Sequence, residues 1–205
     1  FPYTTLFRSS VEVVLMHQSY GESLCISSQI GCNMGCTFCE SGKLKMVRNL
    51  SVSEIILEIL TIEKIENIRI DNVVIMGIGE PFDNYDNIVK ALNIMICPKG
   101  IDLGQRRITV STCGLVSKIK EFANLNTQVN LAISLHAPNQ KLRESLMPIA
   151  KAYPLDKLME AVKASISLLL TLLNSLNPFS RVLLNFSFSF FNTSRTTLSL
   201  SVSSL

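Results

Sequence analysis

The stretch Gly31-Cys32-Asn33-Met34-Gly35-Cys36-Thr37-Phe38-Cys39 sets three cysteines at C-x3-C-x2-C spacing. Three thiolates on one short loop can each take one iron of a 4Fe–4S cluster, because such clusters are ligated by Cys thiolates. The fourth iron is then left without a protein ligand. An open metal position is where a substrate binds and reacts, whereas a full set of protein ligands marks a structural site. Gly31 and Gly35 allow the loop its turns, and Phe38, between the last two thiols, can shield a cluster. Zinc, or free thiols in a core, is the competing reading. Zinc wants a fourth Cys or His nearby, and Cys25 stands at a spacing that matches no zinc pattern. Cys32, Cys36 and Cys39 are therefore expected as metal ligands.

Working outward, strand and helix patterns alternate. Leu50 to Ile62 has apolar residues at helical spacing, with Ser51 and Glu54 placed as a capping box. Asp71 to Gly77 reads as a short Val- and Ile-rich strand running into Gly77-Ile78-Gly79-Glu80-Pro81. Helices follow at Tyr85–Met95, Leu115–Ala123, Lys141–Leu146 and Leu155–Lys163, and strands at Arg107–Ser111 and Val129–Leu135. Apolar strands alternating with helices predict a parallel sheet of βα units. The Gly-rich and polar residues fall just after the strands, on the rim where barrel active sites sit. About four such units fit, so the expected fold is α/β: a partial, truncated (β/α) barrel.

Bulk properties add limits. A chain of 205 residues is one domain with an appendage. A net charge of +3 is only mildly basic, and 47% hydrophobic residues suffice for a core. Six cysteines in a chain this long are no disulfide scaffold; with a cluster loop they point to a reducing, cytoplasmic setting. No basic segment followed by an apolar run opens the chain, so no signal peptide is expected.

Both ends differ in character from the middle. Phe1-Pro2-Tyr3-Thr4-Thr5-Leu6-Phe7-Arg8-Ser9 resembles a reading frame of a sequencing adapter, so residues 1–10 are set aside as an artefact; an ordinary N-terminal strand is the alternative. From Ser165 to Leu205 the only charged residues are Arg181 and Arg195. Ile166–Leu173 falls short of the roughly 20 apolar residues of a membrane span, and Ser187–Phe191 alternates weakly like a strand. Residues 165–205 are expected to be an aberrant, low-complexity tail that reads best as frameshifted, with a true hydrophobic tail as the alternative, and 11–164 the domain core. No membrane association is expected.

In order along the chain, Cys25-Ile26-Ser27-Ser28-Gln29-Ile30, the cysteine triplet, Arg48-Asn49-Leu50, Gly77–Pro81, Gln105–Thr112 and Ser134-Leu135-His136-Ala137-Pro138-Asn139 resemble one family closely. It is the radical S-adenosylmethionine (SAM) RNA methyltransferases of the RlmN and Cfr type. The resemblance covers Val11 to Lys163. It implies a 4Fe–4S cluster on Cys32, Cys36 and Cys39, with SAM chelating the fourth iron. It implies SAM contacts at Gly79, Glu80, Ser111, Ser134, Leu135 and His136. Cys25 matches a catalytic thiol, and Glu12 lies where the family has a proton-accepting carboxylate. In that family SAM is cleaved to a 5′-deoxyadenosyl radical. The radical takes hydrogen from a methylated cysteine, the carbon radical adds to adenine, and the upstream cysteine removes a proton and releases the product by forming a disulfide. The implied substrate is an adenine ring carbon of 23S rRNA, with tRNA as a further target. Carbon 2 is preferred, although carbon-8 members share these motifs. An electron donor such as flavodoxin or ferredoxin is implied as partner. Lys43, Lys45, Arg48, Arg106 and Arg107 offer local charge for phosphate.

The departures matter too. No Cys follows Cys113, so the family's methyl-carrying thiol is missing, and the chain by itself is expected to be inactive. Cys97 and Cys113 are read as structural thiols. Two other functions compete: a radical SAM enzyme acting on a small molecule or peptide, and a non-catalytic iron–sulfur or zinc binding module.

Overall fold

Alternating apolar side chains start the first strand of the computed structural model, which describes residues 9–125, 127–176 and 196–202. β1 (Ser9–Gln18) buries Val11, Val13 and Leu15 and turns Glu12, Val14 and Met16 to the other face, the period-two pattern of a half-buried strand. A tight turn at Ser19 and Tyr20 returns the chain as β2 (Gly21–Ile26), antiparallel to β1, with Val14 opposite Cys25 and Leu15 opposite Leu24. β3 (Gln29–Ile30) and β4 (Arg48–Asn49) pair across the base of the cysteine loop, which contains the one-turn helix α1 (Glu40–Lys43).

The remaining elements follow the expected alternation. α2 (Val52–Glu66) begins at the Ser51–Glu54 capping box, with both reciprocal bonds formed. β5 (Asn72–Ile75) leads through a 3-10 turn into α3 (Tyr85–Ile96), which buries Ile88, Ala91, Leu92 and Met95 at helical spacing. β6 (Ile108–Thr112), α4 (Val116–Ala123), β7 (Asn130–Ile133), α5 (Gln140–Leu146) and α6 (Leu155–Leu176) complete the series, and β8 (Thr196–Val202) pairs antiparallel to β1.

The main sheet runs β7-β6-β5-β2-β1-β8. Within it β2, β5, β6 and β7 are parallel, which gives the four expected βα units. The strand–helix pattern read from Leu50 onward accounts for β5, β6 and β7; β2, which completes the four, and β1 carry no strand assignment in that reading. α6 also runs on without a break past residue 165, where the composition changes. The weak strand pattern at Ser187–Phe191 lies outside the described residues. Among the described residues no helix is long and apolar enough to cross a membrane.

Register divides the sheet into two faces. Val13, Leu24, Ile26, Val73, Ile75, Ile108 and Val110 lie on the core face and are fully buried, packed with Ile55, Ile59, Ile88 and Leu158 from the helices. Partners in register share a face, so Val14, Cys25, Val74 and Thr109 stand together on the opposite side, only half buried. Ser111, Ala132 and Ser134 continue that face by strand parity. The open face is thus the barrel interior.

Two carboxylates of α2 fasten the start of the sheet. Glu58 is buried in the helix's apolar stripe and accepts the Ser27 N–H at 2.8 Å; burial pushes its carboxyl well up. Glu54 receives the Arg48 guanidinium as a fork, Nη1 to Oε2 and Nη2 to Oε1 both at 2.8 Å. That hydrogen bonding holds its carboxyl down at about 2. A depressed carboxyl contributes stability that is present above its unfolded value near 4.5 and is lost as pH falls through about 2. With Arg48 about one-third exposed, Glu54→Gln is expected to lower unfolding free energy by ~1–2 kcal/mol at pH 7. In urea melts the gap from wild type should shrink steadily below pH 4.5; a gap that stays constant to pH 3 would count against the pair.

Candidate functional site

The four parallel strands deliver their loops to one rim. β2 leads to the cysteine loop, β5 to Gly79 and Glu80, β6 to Ser111 and Cys113, and β7 to Ser134, Leu135 and His136. Gly31 starts the loop with φ +76, and a Cβ there would meet the Lys45 carbonyl at 2.1 Å, so the return strand lies against a position only glycine can hold. Inside the loop Cys39 N–H donates to the Cys36 carbonyl at 3.2 Å, and Cys32 N–H to Leu44 at 3.3 Å. Cys36 is buried and packs with Cys113 and Met147, with Cys39 and Met34 against them.

Electrostatics record the crowding of the thiols. Burial, then the neighbouring Cys39 and Cys32 and the Glu80 carboxylate, push the Cys36 thiol up to about 11. Burial also raises Cys32, with Glu80, Cys39 and Asp83 adding to it against the Met34 N–H. Deprotonating all three would gather negative charge in a partly dry loop, an arrangement that a metal cation stabilises. The donor set therefore fits a thiolate-ligated iron–sulfur group. Among the described residues no three His, Cys, Asp or Glu side chains close on a single-ion position; a cluster differs in asking each thiolate to reach a separate iron.

Glu80 is 3% exposed and heavily engaged. Its Oε1 accepts Phe82 N–H at 3.0 Å, capping the 3-10 turn, and its Oε2 accepts Cys113 N–H at 2.8 Å. Its own N–H donates to Gln29 Oε1 at 2.9 Å. Burial raises its carboxyl despite these bonds. Gly79, at φ +103, lies so close to Gln29 and Ser28 that a Cβ would come within 2.6 Å of the Gln29 Cβ. The missing side chain at Gly79 is therefore what lets the β5 loop close on Gln29.

The other expected residues divide by face. Ser111 and Ser134 come together, hydroxyl to hydroxyl at 3.3 Å. Cys25 and Glu12 lie on the same open face, Cys25 in mid-strand on β2 and Glu12 exposed on β1, where its carbonyl accepts the Ser27 hydroxyl at 2.9 Å. The Leu135 side chain, partly buried, packs against the core cluster. His136 has φ +54 and its ring lies 4.3 Å from that of Phe38, centroid to centroid, so the cysteine loop and the β7 loop touch. Burial, then the Arg143 charge, lower its imidazole.

Two expectations on charge and thiols change. Arg106 and Arg107 precede β6 and so stand at the opposite end of the sheet from the cysteines, with Arg107 beside Asp71 at 3.4 Å. A five-residue strand separates them from that rim, roughly 16 Å. Lys43 pairs with Glu40 and Arg48 with Glu54; among the described residues Lys45 is an exposed cation by the loop with no ion-pair partner. Cys97 is exposed at the end of α3, unlike a buried structural thiol. Sequence reasoning missed Arg143, which is fully buried and donates to the Cys113 carbonyl at 2.6 Å. Its signal was a charge in helical register with Leu146 and Met147.

Fold and loop together define the class: an α/β parallel half-barrel with a three-thiol loop after its first parallel strand. Residues 26–173 match the Radical SAM superfamily, and the chain belongs to it. Membership carries SAM and, for the superfamily in general, a 4Fe–4S cluster. The chain is 58% identical over 161 residues to the "Probable dual-specificity RNA methyltransferase RlmN" of Spiroplasma citri, covering 77% of this chain and 47% of that protein. The protein of the same description from Acholeplasma laidlawii is 53% identical, over 75% of this chain and 45% of its own length. A crystal structure of a radical SAM methyltransferase from Sphaerobacter thermophilus matches with a TM-score of 0.74 at 38% identity, over 77% of this chain and 47% of that one. The chain thus spans about half the length of the curated relatives it matches.

The Glu80 geometry has a direct consequence. Glutamine offers one acceptor oxygen where two backbone N–H groups need one each. Glu80→Gln is expected to lower the stability of the metal-free chain by ~1–3 kcal/mol, read as a fall in thermal melting midpoint. An unchanged midpoint would show that the carboxylate does not fasten the β5 and β6 loops.

Proposed function

We propose that this chain carries the cluster- and SAM-binding part of an RNA methyltransferase acting on an adenine ring carbon, carbon 2 in preference, of 23S rRNA and also of tRNA. The observation that carries this reading is the meeting of the cysteine loop with the loops after β5, β6 and β7 on one rim. The likeness to proteins described as RlmN supports the choice of RNA.

In this reading Cys32, Cys36 and Cys39 hold the cluster. When bound, the cluster supplies the single electron that breaks a carbon–sulfur bond of SAM. Gly79 and Glu80 bound the SAM pocket from β5, with Glu80 setting the shape of the loop through Phe82 and Cys113. The Ser111 and Ser134 hydroxyls, already 3.3 Å apart, offer paired donors and acceptors to SAM's polar groups. Leu135 contributes through its backbone and His136 through the ring that meets Phe38. Cys25, on the open face, acts as the thiol that takes a proton from the methylated carbon, and Glu12, on the same face, as a second proton acceptor. Lys45 and the turn around it meet RNA phosphate. An electron donor of the flavodoxin or ferredoxin kind would approach the exposed cysteine rim.

Of the two thiols left over, Cys97 is exposed beyond α3 and Cys113 is buried, its thiol pushed up by burial and the Glu80 charge. Neither suits a methyl carrier. These 205 residues alone are therefore proposed to bind and cleave SAM without completing methyl transfer.

Anaerobic loading with iron and sulfide tests the reading. Wild type should gain visible absorbance and cleave SAM under dithionite, whereas Cys32→Ala should lose both. Cys25→Ala should retain both. Ser111→Ala should weaken SAM binding ~10-fold with iron content unchanged, the effect of one hydrogen bond to a charged ligand. Full absorbance and iron in Cys32→Ala would refute the ligand assignment, and SAM cleavage stimulated by a peptide but not by RNA would redirect the substrate.

A further inference from the structure

Arg143 is a buried cation with an incomplete set of partners. It is 0% exposed. α5 carries it on the side of Leu146 and Met147, and that side docks on the cysteine loop. Thr37 donates to the Leu146 carbonyl from its N–H at 2.9 Å and its hydroxyl at 3.4 Å, and Met147 packs against Cys36 and Cys113. One guanidinium nitrogen, Nη2, donates to the Cys113 carbonyl at 2.6 Å. Nε and Nη1 are buried and find no acceptor among the described residues. A guanidinium is charged at every accessible pH and presents five N–H donors, so leaving two of its nitrogens dry and unpaired is strongly unfavourable.

Glu80 does not relieve it. That carboxylate is committed to the Phe82 and Cys113 N–H groups, and the Cys113 peptide stands between the two charges. The guanidinium lies against Cys113, which packs with Cys36 of the cysteine loop. Cys113 is a buried thiol held protonated by that burial. Cys36 is the one expected to become a thiolate.

We propose that Arg143 is the counter-charge of the three-cysteine centre, its Nε–H and Nη1–H groups donating to the sulfur anion assembled at Cys36, so that it retains the cluster and raises the potential at which the cluster takes an electron. Hydrogen bonds to cluster sulfur and nearby net charge both set that potential. The inference rests on the cluster reading above. Arg143 is in this sense a positioning residue: it acts through the cluster and not on SAM.

The 205-residue chain and its Arg143→Gln and Arg143→Lys variants are loaded anaerobically with iron and sulfide. Four quantities are read: iron per chain, loss of visible absorbance under a chelator, the midpoint of a dithionite titration, and the melting midpoint of each metal-free form. Gln can still donate to the Cys113 carbonyl but has no charge. Its metal-free form should melt no lower than wild type. It should lose its cluster about tenfold faster and take an electron about tenfold less readily, a shift of ~59 mV to more negative potential. Lys should recover part of both losses. Wild type that takes up no iron would overturn the cluster reading and this inference with it. Wild type that loads, beside a Gln variant of equal retention and equal midpoint, would overturn the inference alone. So would weakened SAM binding with retention and midpoint unchanged, which would assign the guanidinium to the SAM carboxylate. Should the Gln variant fail to fold, Lys decides by the same two readouts, since one ammonium cannot reproduce the fork; values equal to wild type would again overturn the proposal.

Discussion

The seam between β2 and β5 is the constraint on which the site depends. Its parallel pairing ends at Ile26 and Ile75, but the two chains stay bonded beyond that point. Gly77 N–H donates to Ile26, Ile78 N–H to the Ser27 hydroxyl, and Ser28 and Gln29 N–H both to the Ile78 carbonyl. Gln29 then accepts from Glu80, and Asn84 holds the Ser28 and Leu50 carbonyls at 2.8 Å. Each bond is worth little alone, but their partners are buried, and a buried polar group left unpaired is expensive. The cysteine loop and the Gly-Glu turn are therefore placed by one network and cannot shift independently.

A second theme is charge held away from water. Glu58, Glu80 and Arg143 are all buried, and each is met first by backbone rather than by an opposite side-chain charge. Backbone groups cannot move or ionise, so the three side chains are held as fixed posts, with burial favouring the neutral carboxyl at Glu58 and Glu80. Glu80 and Arg143 both hold Cys113, which packs with Cys36, so the polar frame on that side of the cysteine loop is set before any ligand arrives.

Much of this was legible in the sequence because it is periodic or punctuated. The capping box at Ser51 and Glu54, the Val- and Ile-rich β5 and the Ser-Thr end of β6 announced themselves, and the parallel sheet followed from their alternation with helices. The family was legible from the ordered motifs. What stayed hidden was tertiary. β1 reads as a strand only once its Val11-Val13-Leu15 stripe meets Leu24 and Ile26. That Gly79 serves Gln29 depends on a contact 50 residues away in the chain. Gln105-Arg106-Arg107 looked like part of the site because it adjoins a site strand, yet it enters that strand from the far end. Arg143 could not be singled out as buried until α5 was docked.

The two-faced register has a consequence for how such a chain can diverge. Along β6, Ile108 and Val110 answer to the packed helices, while Thr109 and Ser111 answer to whatever occupies the barrel interior. Neighbouring codons are thus under different selection, one set for folding and the next for chemistry, in strict alternation. Saturation mutagenesis scored for abundance would trace one parity of the strand and scored for turnover the other. A new substrate could be learned on the open parity without renegotiating the core.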